Sequence, residues 1–183
     1  MGNWKDKQKV MRRYDLTADM YDERYAAEQK AKYKAALKNL NVDYAKILDV
    51  GCGSGLFFNE VATRASVVVG VDISRKLLLK SKQQASSLEN VSVLQADADH
   101  LPLKEGFFDA TCAFTVLQNM PKPPETLSEL KRVTKPGGRV AVTGLKKAFS
   151  LKSFRVILES AGLMTASVVT DEFLNCYVAV LAK

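Results

Sequence analysis

Three aspartates, Asp49, Asp72 and Asp97, each close a short apolar run: ILD (47–49), VVVGVD (67–72) and LQAD (94–97). The first run opens into glycines at alternate positions, Gly51, Gly53 and Gly55. Glycines so spaced let a backbone turn sharply and approach a ligand closely. A dinucleotide fingerprint would need its last glycine at position 56, which is Leu56. A P-loop would need Gly-Lys-Ser/Thr where the chain has Gly55-Leu56-Phe57. An acid just before the turn repels a phosphate and suits a cation. A ligand with a positive amine, a ribose and an adenine accounts for all three acids. Asp49 faces the amine, Asp72 accepts from ribose hydroxyls, and Asp97 accepts from the exocyclic amine. Asp72 could also serve as a helix cap for a helix starting near Ser74.

The elements that must position these acids alternate from residue 46 onward. Strand-like runs fall at 46–50, 66–72, 91–97, 108–114 and 138–145, with helical stretches near 55–65, 74–87 and 124–134. Such a βαβ series predicts a largely parallel sheet with helices on both faces, and ligands bind at the carboxyl edge of such sheets. A further helix spans 151–162, with Gly162 as its stop, and the tail forms two strands around a polar turn at 170–172. Residues 1–40 read as a helical extension that contains no Pro and no Gly after Gly2, and 41–183 as the core of a single domain. Tyr14, Tyr21 and Tyr25 share one face of that extension.

Composition narrows the function classes. No apolar run approaches the length of a membrane span, and the charged start does not resemble a signal peptide, so the cytoplasm is the expected location. Cys52, Cys112 and Cys176 are too few and too scattered for a disulfide framework or a zinc pattern, and read as buried free thiols. With His100 the only histidine, no histidine-rich metal site is available, and no resident metal is expected. The formal charge of +7 has one concentration in Lys5, Lys7, Lys9, Arg12 and Arg13 and another in Lys30, Lys32, Lys34 and Lys38. Such clusters suit nucleic acid or an anionic substrate, or form a solvated helical face.

Five motifs in order, ILDVGCGSG, VVGVDIS, LQADADHLPL, FDATCAFTVLQNMPKP and LSELKRVTKPGGRVAV, resemble class I S-adenosylmethionine-dependent methyltransferases, in the branch that includes quinone methyltransferases. The resemblance covers residues 14–183. It implies a Rossmann-like seven-stranded sheet, mostly parallel, whose last strand inserts antiparallel. It also implies S-adenosylmethionine as methyl donor and S-adenosylhomocysteine as product. Carried onto this chain, Gly51, Cys52 and Gly53 approach the methionine part and Asp49 holds its amino group. Asp72 binds the ribose and Ile73 packs on the adenine. Asp97 and Ala98 read the adenine edge, and Phe114 lies beside the methionine part. The segment YDLTADMYDERY (14–25) resembles the lid of that branch, which makes Tyr14 and Tyr21 candidate site residues.

A sulfonium methyl is already activated, so the protein must chiefly align the acceptor and exclude water. After the fourth strand the chain reads Phe114-Thr115-Val116-Leu117, not the Asn/Asp-Pro-Pro-Tyr/Phe of many base-amine methyltransferases. Gln118 and Asn119 stand where many members of the resembled branch carry Glu-His. They are expected to face the acceptor, although amides also cap loops. For the acceptor, the basic extension with Trp4 and its tyrosines, and Lys146, Lys147, Lys152 and Arg155 after the fifth strand, lean toward an RNA nucleobase. A quinone or other small metabolite, or a non-catalytic donor-binding subunit, are the alternatives.

Overall fold

The computed structural model describes residues 2–183 as a seven-stranded sheet in the order β3-β2-β1-β4-β5-β7-β6. The strands are β1 (Lys46–Val50), β2 (Val67–Asp72), β3 (Val91–Gln95), β4 (Phe108–Ala113), β5 (Thr134–Leu145), β6 (Met164–Val169) and β7 (Cys176–Ala182). β1 to β5 pair in parallel, and β7 inserts antiparallel between β5 and β6. This is the Rossmann-like methyltransferase architecture. The helices are α1 (Gly2–Thr17), α2 (Tyr21–Leu37), α3 (Phe58–Val61), α4 (Arg75–Ala85), α5 (Pro123–Val133) and α6 (Leu151–Ser160).

Strand alternation divides the core between the two faces of the sheet. Ile47, Ala141, Val178 and Val180 pack with Tyr33 of α2 and with Phe57, Phe58 and Phe114. Leu48, Val140, Val142 and Leu181 pack on the other face with Leu127 and Leu130 of α5 and Phe154 and Leu158 of α6. At Gly144 the ring of Phe154 lies so close that a Cβ would stand 2.5 Å from it. Gly144→Ala is therefore expected to overpack this face and cost ~1–3 kcal/mol. A urea or thermal melt that leaves the midpoint unchanged would show that this contact is slack.

Several boundaries differ from the sequence reading, each for a local reason. The extension is two helices, not one, because a 3-10 turn at Ala18–Met20 redirects the chain. The helix expected over 55–65 shrinks to α3, because Gly55 is left-handed and Phe57 and Phe58 plunge fully into the core. β5 begins four residues before the expected position 138, running through Pro136 and Gly137. β3 stops at Gln95, so Asp97 belongs to the loop beyond it. Asp49 sits within β1, one residue before its end. All three cysteines are free and buried. Among the described residues, no helix is long and apolar enough to cross a membrane.

Candidate functional site

The carboxyl ends of β1, β2 and β4 and the loop after β3 surround a cavity, which α1 and Tyr21 cover from outside. Its floor is the glycine turn. Gly51 and Gly53 adopt φ of +72° and +57°, a region that L side chains avoid. A Cβ on Gly51 would lie 2.5 Å from Val116 Cγ2, and one on Gly53 would meet the Tyr21 ring at 3.3 Å. The turn is held by Gly51 N–H and Cys52 N–H, which both donate to the Val71 carbonyl, at 2.7 and 3.0 Å.

Asp72 fastens this turn to the end of β2. Its Oδ2 accepts from Gly53 N–H at 2.9 Å and its Oδ1 from Ser74 N–H at 2.8 Å. The cap of α4 is Ser74, whose hydroxyl accepts from Leu77 N–H, so capping does not account for Asp72. Burial raises the Asp72 pKa against the pull of those backbone N–H groups. Asp49 is 2% exposed, beneath the turn. Burial first, and the neighbouring Asp72 second, push its pKa up to about 8.

Beyond β3, Asp97 turns its own loop through Asp99 N–H, and both its oxygens receive Lys7 Nζ from α1, at 2.8 and 2.7 Å. Lys7 also pairs with Asp99 at 2.5 Å, and the three side chains are almost fully covered. Two more polar contacts pin the extension across the crevice. Arg13 donates to Asn119 Oδ1 at 2.8 Å, and Asp15 accepts from Ser74 Oγ at 2.6 Å. Asp22 bonds Ser54 within the glycine loop.

Nine of the residues singled out from sequence reach the cavity wall: Tyr14, Tyr21, Gly51, Gly53, Asp72, Ile73, Asp97, Ala98 and Phe114. Asn119 joins them, held by its amide on the Thr115 carbonyl and the Tyr14 hydroxyl, at 2.9 and 3.2 Å. Three others are not on the wall. Asp49 lies under it. The Cys52 thiol turns into the core toward Gly70, and burial raises its pKa, so only its backbone serves the turn. Gln118 spends its Nε2 on the Thr115 carbonyl at 2.6 Å and caps the loop, contrary to the expectation that it faces the acceptor. Tyr21 is no base: burial pushes its pKa well above the usual phenol range, leaving a neutral hydroxyl. Two basic residues also leave their clusters, Lys7 for Asp97 and Asp99, and Lys32 for the interior at 3% exposure.

Lys7, Thr115, Val116 and Met120 also stand on the wall, although no sequence motif assigns them a place there. Lys7 shares an α1 face with Val10 and Tyr14, a spacing of three and four that hydropathy hides because Lys is charged. Thr115 adopts φ of +63°, which a β-branched residue resists at a cost of ~1–3 kcal/mol. No pattern in the sequence signals it.

A profile of methyltransferase domains matches residues 48–142, the stretch that carries all these strand ends. The chain belongs to the class I S-adenosylmethionine-dependent methyltransferase family. Within the family, it is 32% identical over 142 residues to the biotin biosynthesis bifunctional protein BioHC of Cellvibrio japonicus, covering 76% of this chain and 28% of that protein. It is 34% identical over 117 residues to the demethylmenaquinone methyltransferase of Staphylococcus epidermidis, covering 62% and 48%. The chain thus spans about half the length, or less, of these curated relatives. A solved S-adenosylmethionine-dependent methyltransferase from Aquifex aeolicus superposes with a TM-score of 0.72 at 22% identity, over 82% of this chain and 88% of that one, which shows a shared fold.

Proposed function

We propose that the protein transfers a methyl group from S-adenosylmethionine bound along the β1–β4 edge. The observation that carries this is the cavity itself. A glycine turn, an acid at the end of β2 and an acid beyond β3 line one crevice, with a buried acid beneath the turn, in the order of amine, ribose and adenine. Asp49 would hold the amine, Asp72 the ribose and Asp97 the adenine edge, with Ile73 and Ala98 beside the ring and Tyr14 above. The described residues contain no cluster of three metal-ligating side chains, and the reading requires none. The donor supplies an activated methyl. The chain supplies alignment in a cavity roofed by Lys7, Val10 and Tyr14 of α1.

For the acceptor we favour an RNA base. The outer face of the roof helix exposes Lys5, Lys9 and Arg12 beside Trp4, α2 exposes Lys30 and Lys34, and Lys38 is exposed just beyond it. Lys147, Lys152 and Arg155 are exposed after β5, while Lys146 is held on the Asp171 carbonyl. Phosphates would neutralise these cations and release counterions. Replacing Lys5, Lys9 and Arg12 together by Glu is expected to weaken RNA binding by about tenfold or more and to flatten its salt dependence. A wild-type affinity that ignores salt would contradict the RNA reading. A small, largely apolar acceptor is the second reading. It is favoured by Val10, Val116 and Met120 at the wall and by the quinone methyltransferases among the relatives.

Tritiated S-adenosylmethionine, offered with total cell RNA and separately with an RNA-free extract, distinguishes the two. Label in nuclease-sensitive polymer supports RNA, and label only in the extract supports the small acceptor. Label in neither, under conditions where the donor binds, would leave a donor-binding subunit and overturn methyl transfer.

A further inference from the structure

We propose that Lys32, a buried lysine outside the cavity, is a positioning residue: acting through Thr115 and Gln29, it fixes the Tyr21 hydroxyl as a hydrogen-bond donor into the cavity, aimed at a carboxylate resting over the Gly51–Gly53 turn. The inference rests on the donor reading above, since the amino acid end of S-adenosylmethionine supplies that carboxylate.

The chain of contacts has a direction. Lys32 is 3% exposed, with its Nζ 2.9 Å from Glu28 Oε1 and 3.1 Å from Thr115 Oγ1. An ammonium only donates, so the Thr115 oxygen accepts from it. The Thr115 proton then goes to Gln29 Oε1 at 3.4 Å. That leaves Gln29 presenting its Nε2 to the Tyr21 oxygen, also at 3.4 Å. The Tyr21 oxygen therefore accepts from within, and its own proton finds no acceptor among the described residues. The phenol lies against Gly53 on the cavity wall. Asp72 shares that wall and Asp49 lies under it, neither bonding the phenol, so an anion placed there meets a neutral donor, not a third acid.

The strained Thr115 fits this role. Its N–H donates to Thr143 Oγ1 at 2.7 Å, and its carbonyl accepts from Gln118 and Asn119. With the backbone fixed on both sides, the left-handed turn presents the hydroxyl to α2. One residue thus ties the lid helix, the loop after β4 and the donor end of the cavity together. The opposite orientation of the Gln29 amide would place its nitrogen on Thr115 and draw the Tyr21 proton inward, abolishing the donor.

The test compares S-adenosylhomocysteine with its decarboxylated analogue by calorimetry. Tyr21→Phe is expected to weaken the carboxylate-bearing ligand about tenfold and the analogue by less than about twofold. Thr115→Val keeps the shape and removes the hydroxyl. It should reproduce the selective loss at about three- to tenfold, Lys32→Met likewise, and Thr115→Ser should restore wild-type selectivity. Equal effects on both ligands, or none, from Tyr21→Phe or Thr115→Val would overturn the proposal while leaving the donor site standing. Failure of wild type to bind either ligand would overturn the donor reading, and the carboxylate role with it.

Discussion

Asp72→Ala is expected to weaken S-adenosylmethionine binding by at least about tenfold, the largest effect of any single substitution in the crevice. The carboxylate does two things at once. It joins the glycine turn to the end of β2 through Gly53 and Ser74 N–H, and it leaves lone pairs for two ribose hydroxyls. Its removal strands two buried N–H groups, so a stability loss of ~1–3 kcal/mol should accompany the affinity loss. Asp72→Asn separates the two effects. The amide oxygen still accepts one backbone bond, so the fold should recover more than the ribose contacts do. Donor titration by calorimetry beside a thermal melt reads both. Unchanged affinity in a folded Asp72→Ala protein would show that the ribose lies elsewhere.

The second large effect is a pH dependence set by Asp49. With its pKa pushed up to about 8, Asp49 is mostly protonated in the free protein near neutrality. A bound ammonium would draw it to the ionised form, so donor binding releases a proton. The affinity should rise with pH, by up to about tenfold per unit, and level off above about pH 8. Stability runs the opposite way. A carboxyl whose folded pKa lies above its unfolded value favours the folded state most below the unfolded value, and that contribution is lost as pH rises through the folded value. Asp49→Asn should therefore flatten the affinity profile and weaken binding. It should also raise the melting temperature near pH 8 by ~2–4 °C for each kcal/mol relieved. An affinity profile that stays steep in Asp49→Asn would remove Asp49 from the amine site.

The strand ends were legible because their signals are local. An apolar run, an acid and a glycine-rich turn are each written within ten residues, and the βαβ rhythm places them on one edge. Asp72 and Asp97 reached the cavity wall on that logic, and Ile73, Ala98 and Phe114 through the family resemblance. What stayed hidden depends on contacts distant in sequence. Lys7 and Lys32 read as two more surface charges, yet each is buried because an oxygen about ninety residues away receives it. Gln118 and Asn119 are neighbours of one type, but only Asn119 turns to the wall, because Arg13 and Tyr14 draw it there. The break at Ala18–Met20 follows Thr17 and contains Asp19, both weak helix formers, but weak formers alone do not set a bend. The docking of Ala18 and Tyr21 against Leu77 of α4 fixes where the chain turns.

The most direct measurement is a calorimetric titration of S-adenosylhomocysteine into the purified wild-type protein. Saturable one-to-one binding is expected, accompanied by proton release at about neutral pH and weakened in Asp72→Ala. The absence of saturable binding, or equal binding by Asp72→Ala, would contradict the assignment of this crevice to the methyl donor.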